Sequence, residues 1–234
     1  MTDLPSPGEA PHTIDRSIQA VRSADSAAKL VQAVRQLSLC EAPEAIPTLI
    51  EVLGFNNPGA AVAAVDGLVR LGDVAAEALF QQLDDYNYTA RAWALRALAL
   101  LGDPRALDLL CETAQGDFSL SVRRAAARGL GGIKWDKIPE NDRLGAQEKA
   151  LETLILAAQD PEWVVRYGAI AGTAALGEQA TDPKVFQAVQ TALEEVMATE
   201  QDGVVKARAQ WAMETLREQG LGRGKREEGR EKRD

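Results

Sequence analysis

The chain has 234 residues, with 26 basic against 35 acidic side chains, a net charge of −9, 40 alanines, 5% aromatics, two cysteines and one histidine. That length can bury one sizeable core or build one repeat array, and abundant alanine with few aromatics points to closely packed helices. Two lone thiols (Cys40, Cys111) and a single His12 exclude a disulfide scaffold and leave little material for a metal site or a nucleophile–histidine pair, and the acidic balance argues against a nucleic-acid binder.

No apolar run reaches about 18 residues, so no membrane span is expected. The opening MTDLPSPGEAPH has no apolar stretch, so no secretory signal is expected and the location is read as cytoplasmic. Residues 1–13 carry three prolines and are expected to be disordered, with the folded array over 14–219.

Within the array the sequence repeats. Paired amphipathic segments follow one another as Pro43–Leu53 with Ala60–Asp73, Val74–Leu83 with Ala90–Asp103, and Pro104–Gln115 with Val122–Lys134. Ala146–Gln159 with Val165–Gly177, and Pro183–Thr199 with Val205–Leu216, complete the series. Leu37, Leu68, Leu98 and Leu130 hold one equivalent position, at spacings of 31, 30 and 32 residues. Gly72 and Gly102 stand as helix C-caps, and Asp103-Pro104 and Asp182-Pro183 as helix starts. WDKIPENDRL, residues 135–144, interrupts the spacing and reads as a loop. Residues 220–234, with six basic and four acidic groups, read as a flexible charged tail. Nothing reads as a strand. The fold class is all-α: an α-solenoid of about six HEAT/armadillo-like helix pairs, a curved superhelix.

An acid–base pair recurs six residues apart: Asp85 and Arg91, Asp117 and Arg123, Asp160 and Arg166, Glu200 and Lys206. Recurrence in successive repeats marks a structural ladder, each turn's carboxylate meeting a neighbouring repeat's cation. Functional residues are therefore sought where the repeat is broken. The turn Asp84-Asp85-Tyr86-Asn87-Tyr88 adds a carboxylate and two aromatics beside Arg91, and Trp93 and Trp163 flank such turns. Arg96, Arg124, Arg128 and Tyr167 are expected to project from consecutive second helices onto one surface, a cationic, aromatic-flanked groove. Such a groove suits an elongated, flat anion: arginines fork onto carboxylates, aromatics cover the apolar body, and Asp84 accepts from ring N–H groups. The alternative is a solvated polar face. Both cysteines read as buried structural thiols.

FNNPGAAVAAVDGLVRLG (55–72), LDDYNYTARAWALRALALLGDPRALDLL (83–110), DFSLSVRRAAARGLG (117–131) and EWVVRYGAI (162–170) resemble the cyanobacterial phycobilin lyases of the HEAT-repeat type, in particular their beta-type subunits. The resemblance covers about residues 15–218, and the DDYNY-x-x-R-A-W string is its most specific part. It implies a heterodimer with a related alpha-type subunit, which attaches phycocyanobilin, a linear tetrapyrrole, through a thioether to a cysteine of the apo-phycocyanin alpha chain. The nucleophile then belongs to the acceptor protein, the pigment is a substrate, and no cofactor is implied. By the same resemblance Asp84 and Asp85 are the candidate catalytic carboxylates, one or the other meeting the pyrrole nitrogens, Arg124 and Arg128 meet the propionates, and Tyr86, Tyr88 and Trp93 cover ring faces. Arg91, Arg96, Trp163 and Tyr167 complete the binding set. Family members with isomerase activity carry a His-Cys motif that is missing from this sequence. Bilin detachment or phycobilisome degradation on the same fold, or a non-catalytic HEAT-repeat scaffold or chaperone gripping a protein helix, are the alternative readings.

Overall fold

The computed structural model describes residues 10–83 and 87–231, with side chains from 14 to 218 within that range. Among the described residues there are twelve α-helices and no strand. They form six pairs: α1 (Ala10–Arg22) with α2 (Ala27–Ser38), α3 (Ile46–Leu53) with α4 (Pro58–Leu71), and α5 (Asp73–Gln82) with α6 (Tyr88–Leu101). The series continues as α7 (Leu107–Gly116) with α8 (Leu120–Gly131), α9 (Glu140–Ala157) with α10 (Trp163–Gln179), and α11 (Pro183–Thr199) with α12 (Gly203–Glu231). The chain divides after Leu101 into two compact units of three pairs each. The expected all-α array of HEAT-like pairs is the fold.

Local sequence sets the helix ends. The Ser26 hydroxyl accepts from Lys29 N–H at the start of α2, the Asn57 side chain accepts from Ala60 N–H ahead of Pro58, and the Asn87 side chain accepts from Ala90 N–H at the start of α6. Asp103 and Asp182 cap as expected, accepting from Arg105 and Lys184 N–H, with Pro104 and Pro183 next in line. Gly72 closes α4 at φ 69°, and Gly102 follows α6 at φ 65°, backbone angles that an L side chain adopts only with strain.

Inside each unit the second helix of every pair stacks on the second helix of the next. In the first unit α4 packs on both α2 and α6, and in the second α10 packs on both α8 and α12. The equivalent leucines Leu37, Leu68 and Leu98 of the first unit and Leu130 of the second are each 0% exposed. Burying a leucine contributes roughly 1.5–3 kcal/mol, so this register is strongly fixed. Small residues let the backbones close. At the α8–α10 crossing a Cβ added to Gly172 would strike the Ala127 carbonyl and lie 2.8 Å from Leu154 Cδ2, so nothing larger than glycine fits there without moving a helix.

The structure corrects the reading of 135–144 as a loop. Trp135–Lys137 form one 3₁₀ turn and α9 starts at Glu140. Pro139, at φ −50°, leads into the helix, and Glu140 and Asp142 in its first turn favour the positive end of the helix dipole. The expected boundaries at 13/14 and 219/220 fall inside the helical backbones of α1 and α12. Cys111 is buried as expected, and burial pushes its thiol up. Cys40 is only half-buried, because it sits just past the end of α2, its Sγ 3.4 Å from the Gln36 carbonyl and 3.7 Å from Ser17 Oγ.

Candidate functional site

The second unit contains two rungs of the anticipated ladder. Arg123 Nε donates to Asp160 Oδ2 at 2.7 Å and its Nη2 to Oδ1 at 3.1 Å, a bidentate fork between consecutive repeats. Its Nη1 donates to the carbonyls of Asp117 and Phe118 at 2.8 and 3.3 Å, tying the guanidinium to its own turn. One repeat later the pattern returns. Arg166 forks onto Glu200 at 2.7 and 3.1 Å and donates to the Asp160 and Pro161 carbonyls at 3.0 and 3.2 Å. The acids are fixed in turn by backbone N–H groups: Asp160 accepts from Glu162, and Glu200 from Gln201 and Asp202. These side chains are 13% and 9% exposed for the Arg123–Asp160 pair and 18% and 8% for Arg166–Glu200.

Electrostatics agree with the geometry. Burial pushes the Asp160 carboxyl up, but the Arg123 bonds, the Glu162 N–H and the neighbouring guanidiniums outweigh it and hold it below the ordinary carboxylate range. The Arg166 fork holds Glu200 down against burial, aided by the Asp202 N–H. Ladder residues are thus fully occupied in holding turns together.

A different set of cations faces solvent beside them. Arg124 and Arg128, one turn apart on α8, are exposed, and among the described residues no carboxylate lies within ion-pair distance of either. On α10, Trp163 and Tyr167 are also one turn apart and are 47% and 36% exposed. Gly168 brings the two helices close enough that a Cβ there would meet Arg124 Cγ at 2.8 Å. The structure therefore sets Arg124 of α8 against α10 at Gly168, next in sequence to Tyr167, with Arg128 one turn on along α8 and Trp163 one turn back along α10. These residues can bind a flat anion: guanidinium forks for carboxylates and aromatic edges and faces for an apolar body.

Residues beyond the sequence-derived set join this face. On α12 the Arg208 guanidinium lies over the Trp211 ring, 4.5 Å from its centroid. Burial pulls the Arg208 guanidinium below its ordinary value, opposed by Tyr167 and Glu178 and reinforced by the like charge of Arg128. Arg208 is half-buried, whereas Trp211 is 60% exposed. A signal was present: Trp211 stands five residues after Lys206, as Arg128 stands five after Arg123, so both mark the same repeat position.

The remaining predicted residues belong to the first unit, on or before α6. Tyr88 is the first residue of α6 and is 36% exposed, and Arg91 is exposed. Trp93 and Arg96 are half-buried, with the Arg96 guanidinium 5.6 Å from the Trp93 ring centroid. Asp84, Asp85 and Tyr86 lie outside the described residues. Ala94, Leu98 and Leu101 take the core side of α6. Among the described residues no helix is long and apolar enough to cross a membrane.

Comparison with known proteins follows the same lines. A HEAT-repeat family model matches residues 76–144 and 117–214. The phycocyanin alpha phycocyanobilin lyase CpcF of Synechocystis sp. is 52% identical over 203 residues, covering 87% of this chain and 94% of that protein. A phycocyanobilin lyase subunit beta of Nostoc sp. is 49% identical over 191 residues, covering 82% of this chain and 94% of that protein. Among solved structures, a chain in the complex of CpcE and CpcF of phycocyanin lyase from Nostoc sp. PCC7120 matches with a TM-score of 0.67 at 48% identity, over 73% of this chain and 99% of that one.

Proposed function

Because this chain belongs to the HEAT-repeat phycocyanobilin lyase family, as a relative of its beta subunits, we propose that it is one subunit of a heterodimeric enzyme that attaches phycocyanobilin to the alpha chain of apo-phycocyanin. Its partner is a related alpha-type subunit. The observation that carries the binding role is the set of unpaired arginines, Arg124 and Arg128, beside exposed Trp163 and Tyr167 in a protein of net charge −9. In such a protein, cations left without carboxylates favour an anionic ligand.

The reaction adds a thiol to a conjugated pigment. The acceptor cysteine's sulfur attacks the ethylidene carbon of ring A and a C–S bond forms. The displaced double-bond electron pair moves into the conjugated system, which takes up a proton in balance for the one lost by the thiol. Nothing leaves. The lyase needs no nucleophile of its own and contributes by holding the extended pigment so that the thiol meets one face of one carbon. In this reading Arg124 and Arg128 grip propionates, and Trp163 and Tyr167 bound the conjugated plane. Asp84 and Asp85 are the proposed carboxylates that favour the protonated, more electrophilic pigment. Tyr86, Tyr88, Arg91, Trp93 and Arg96 are further residues proposed to contact the pigment.

Co-expression of this chain with an alpha-type subunit, apo-phycocyanin alpha chain and a bilin source tests the reading. Pigment covalently carried by the denatured acceptor, detected by zinc-induced fluorescence, is expected only when this chain is present. Loss of pigment from a preloaded acceptor would reassign the chain to detachment.

A further inference from the structure

Between α8 and α9 an insert interrupts the regular spacing. Leu98 and Leu130 are 32 residues apart, whereas Asp117 and Asp160, which flank the insert, are 43 apart, a difference of eleven. By those spacings Trp135 stands where Asp103 stands one repeat earlier, and Gln147 where Pro104 stands. Burial agrees with that register: Leu107, Cys111 and Ala114 of α7 and their counterparts Ala150, Leu154 and Ala157 of α9 are all buried. Asp103 and Pro104 are consecutive, so the eleven inserted residues leave the stack at Trp135 and return to it at Gln147, at one place.

Three N–H groups are brought to that place. Among the described residues the buried side-chain nitrogens and oxygens without a hydrogen-bond partner in the chain are Trp135 Nε1, Arg143 Nε and Gln147 Nε2. All three are donors, and all belong to residues 135–147. Trp135 is 3% exposed and Gln147 1%. Arg143 is half-buried, one turn before Gln147 on α9, and its Nη2 donates to the Ile138 carbonyl at 3.1 Å, which holds the guanidinium against the inserted segment. Helix side chains lean toward the N-terminus, so the Gln147 amide extends toward Arg143. Among the described residues no carboxylate lies within ion-pair distance of Arg143, and the acids of the insert, Asp136, Glu140 and Asp142, are exposed. Buried donors without an acceptor are destabilising, and folded proteins keep them only where something else accepts.

We propose that Trp135, Arg143 and Gln147 form a binding site for a small monovalent inorganic anion of the chloride class, enclosed by the insert. Three donors and one positive charge without a carboxylate suit an ion that only accepts. A water molecule fits the set less well: it brings two protons of its own, and the unpartnered atoms here are all donors. The bound anion ties the 3₁₀ turn at Trp135–Lys137 to α9 and so fixes the junction between the α7–α8 and α9–α10 pairs. The site is independent of the pigment reading.

The test uses the full chain and reads its thermal unfolding by circular dichroism in sodium chloride and in sodium gluconate at one ionic strength. Chloride at about ten times its dissociation constant should raise the melting temperature by about 3–6 °C over gluconate. Gln147→Leu and Arg143→Met each remove a donor and keep the apolar bulk, and each should abolish that difference. If one variant fails to fold, the other decides. In crystals soaked in bromide an anomalous peak is expected within hydrogen-bond reach of Trp135 Nε1, Arg143 Nε and Gln147 Nε2. Equal wild-type melting in the two salts, a chloride effect that survives in a folded variant, or ordered water in place of the halide overturns the site and leaves the pigment reading untouched.

Discussion

Replacing Arg123 by alanine deletes four donor contacts at once: two to Asp160 and one each to the Asp117 and Phe118 carbonyls. The damage exceeds the bonds lost, because Asp160, only 9% exposed, keeps its charge and loses its cation. Breaking a buried pair from one side costs about 3–5 kcal/mol. Asp160 still accepts from Glu162 N–H, which sets the expectation at the lower end, about 3 kcal/mol. For a protein of this size that lowers the melting temperature by about 6–12 °C. Arg124→Ala, next in sequence but exposed and without an acid partner, should change stability by no more than about 0.5 kcal/mol and lower pigment transfer instead. Thermal melts by circular dichroism, run beside the transfer assay on both variants, separate the two roles. Equal melting temperatures with equal losses of transfer would refute the division between ladder and ligand arginines.

The ladder has a pH signature. Asp160 titrates below its ordinary value in the folded state, so its contribution is complete above the usual carboxylate range, near pH 4, and is lost as pH falls through the depressed folded value. The stability gap between wild type and Arg123→Ala, measured by urea unfolding, should therefore be full at pH 7 and narrow below about pH 4; a constant gap would contradict the bridge. Gly172→Val should destabilise by about 3 kcal/mol or more, since its side chain would meet the Ala127 carbonyl and Leu154, and a wild-type melting temperature would show that the α8–α10 crossing is looser than described. Deleting residues 220–234 should leave transfer and partner binding intact, as co-purification of the truncated chain would reveal.

Repetition made much of the fold legible. The leucine register, the glycine ends at 72 and 102 and the acid–arginine spacing each recur, and each recurrence has a local physical cause: burial, backbone angle and charge pairing. The start of α9 was hidden because 135–144 is polar and sits in the one stretch that breaks the period; only Pro139 and the acids behind it mark a helix start. Arg124, Arg128 and Tyr167 were legible as departures from the repeat. Trp211 shares the repeat position of Arg128 and Arg208 precedes it by three residues on α12, so their stack was legible in the spacing, whereas the half-burial of Arg208 follows from α12 lying against α10. Cys40 departs from the expected burial because α2 ends just before it, where Leu39 too is 58% exposed.

The most direct test of the central claim is zinc-induced fluorescence on denatured apo-phycocyanin alpha chain after co-expression with a bilin source and the alpha-type subunit, with and without this chain. The account predicts a covalent phycocyanobilin signal that requires this chain and falls sharply with Arg124→Ala. A signal of the same strength in its absence would contradict it.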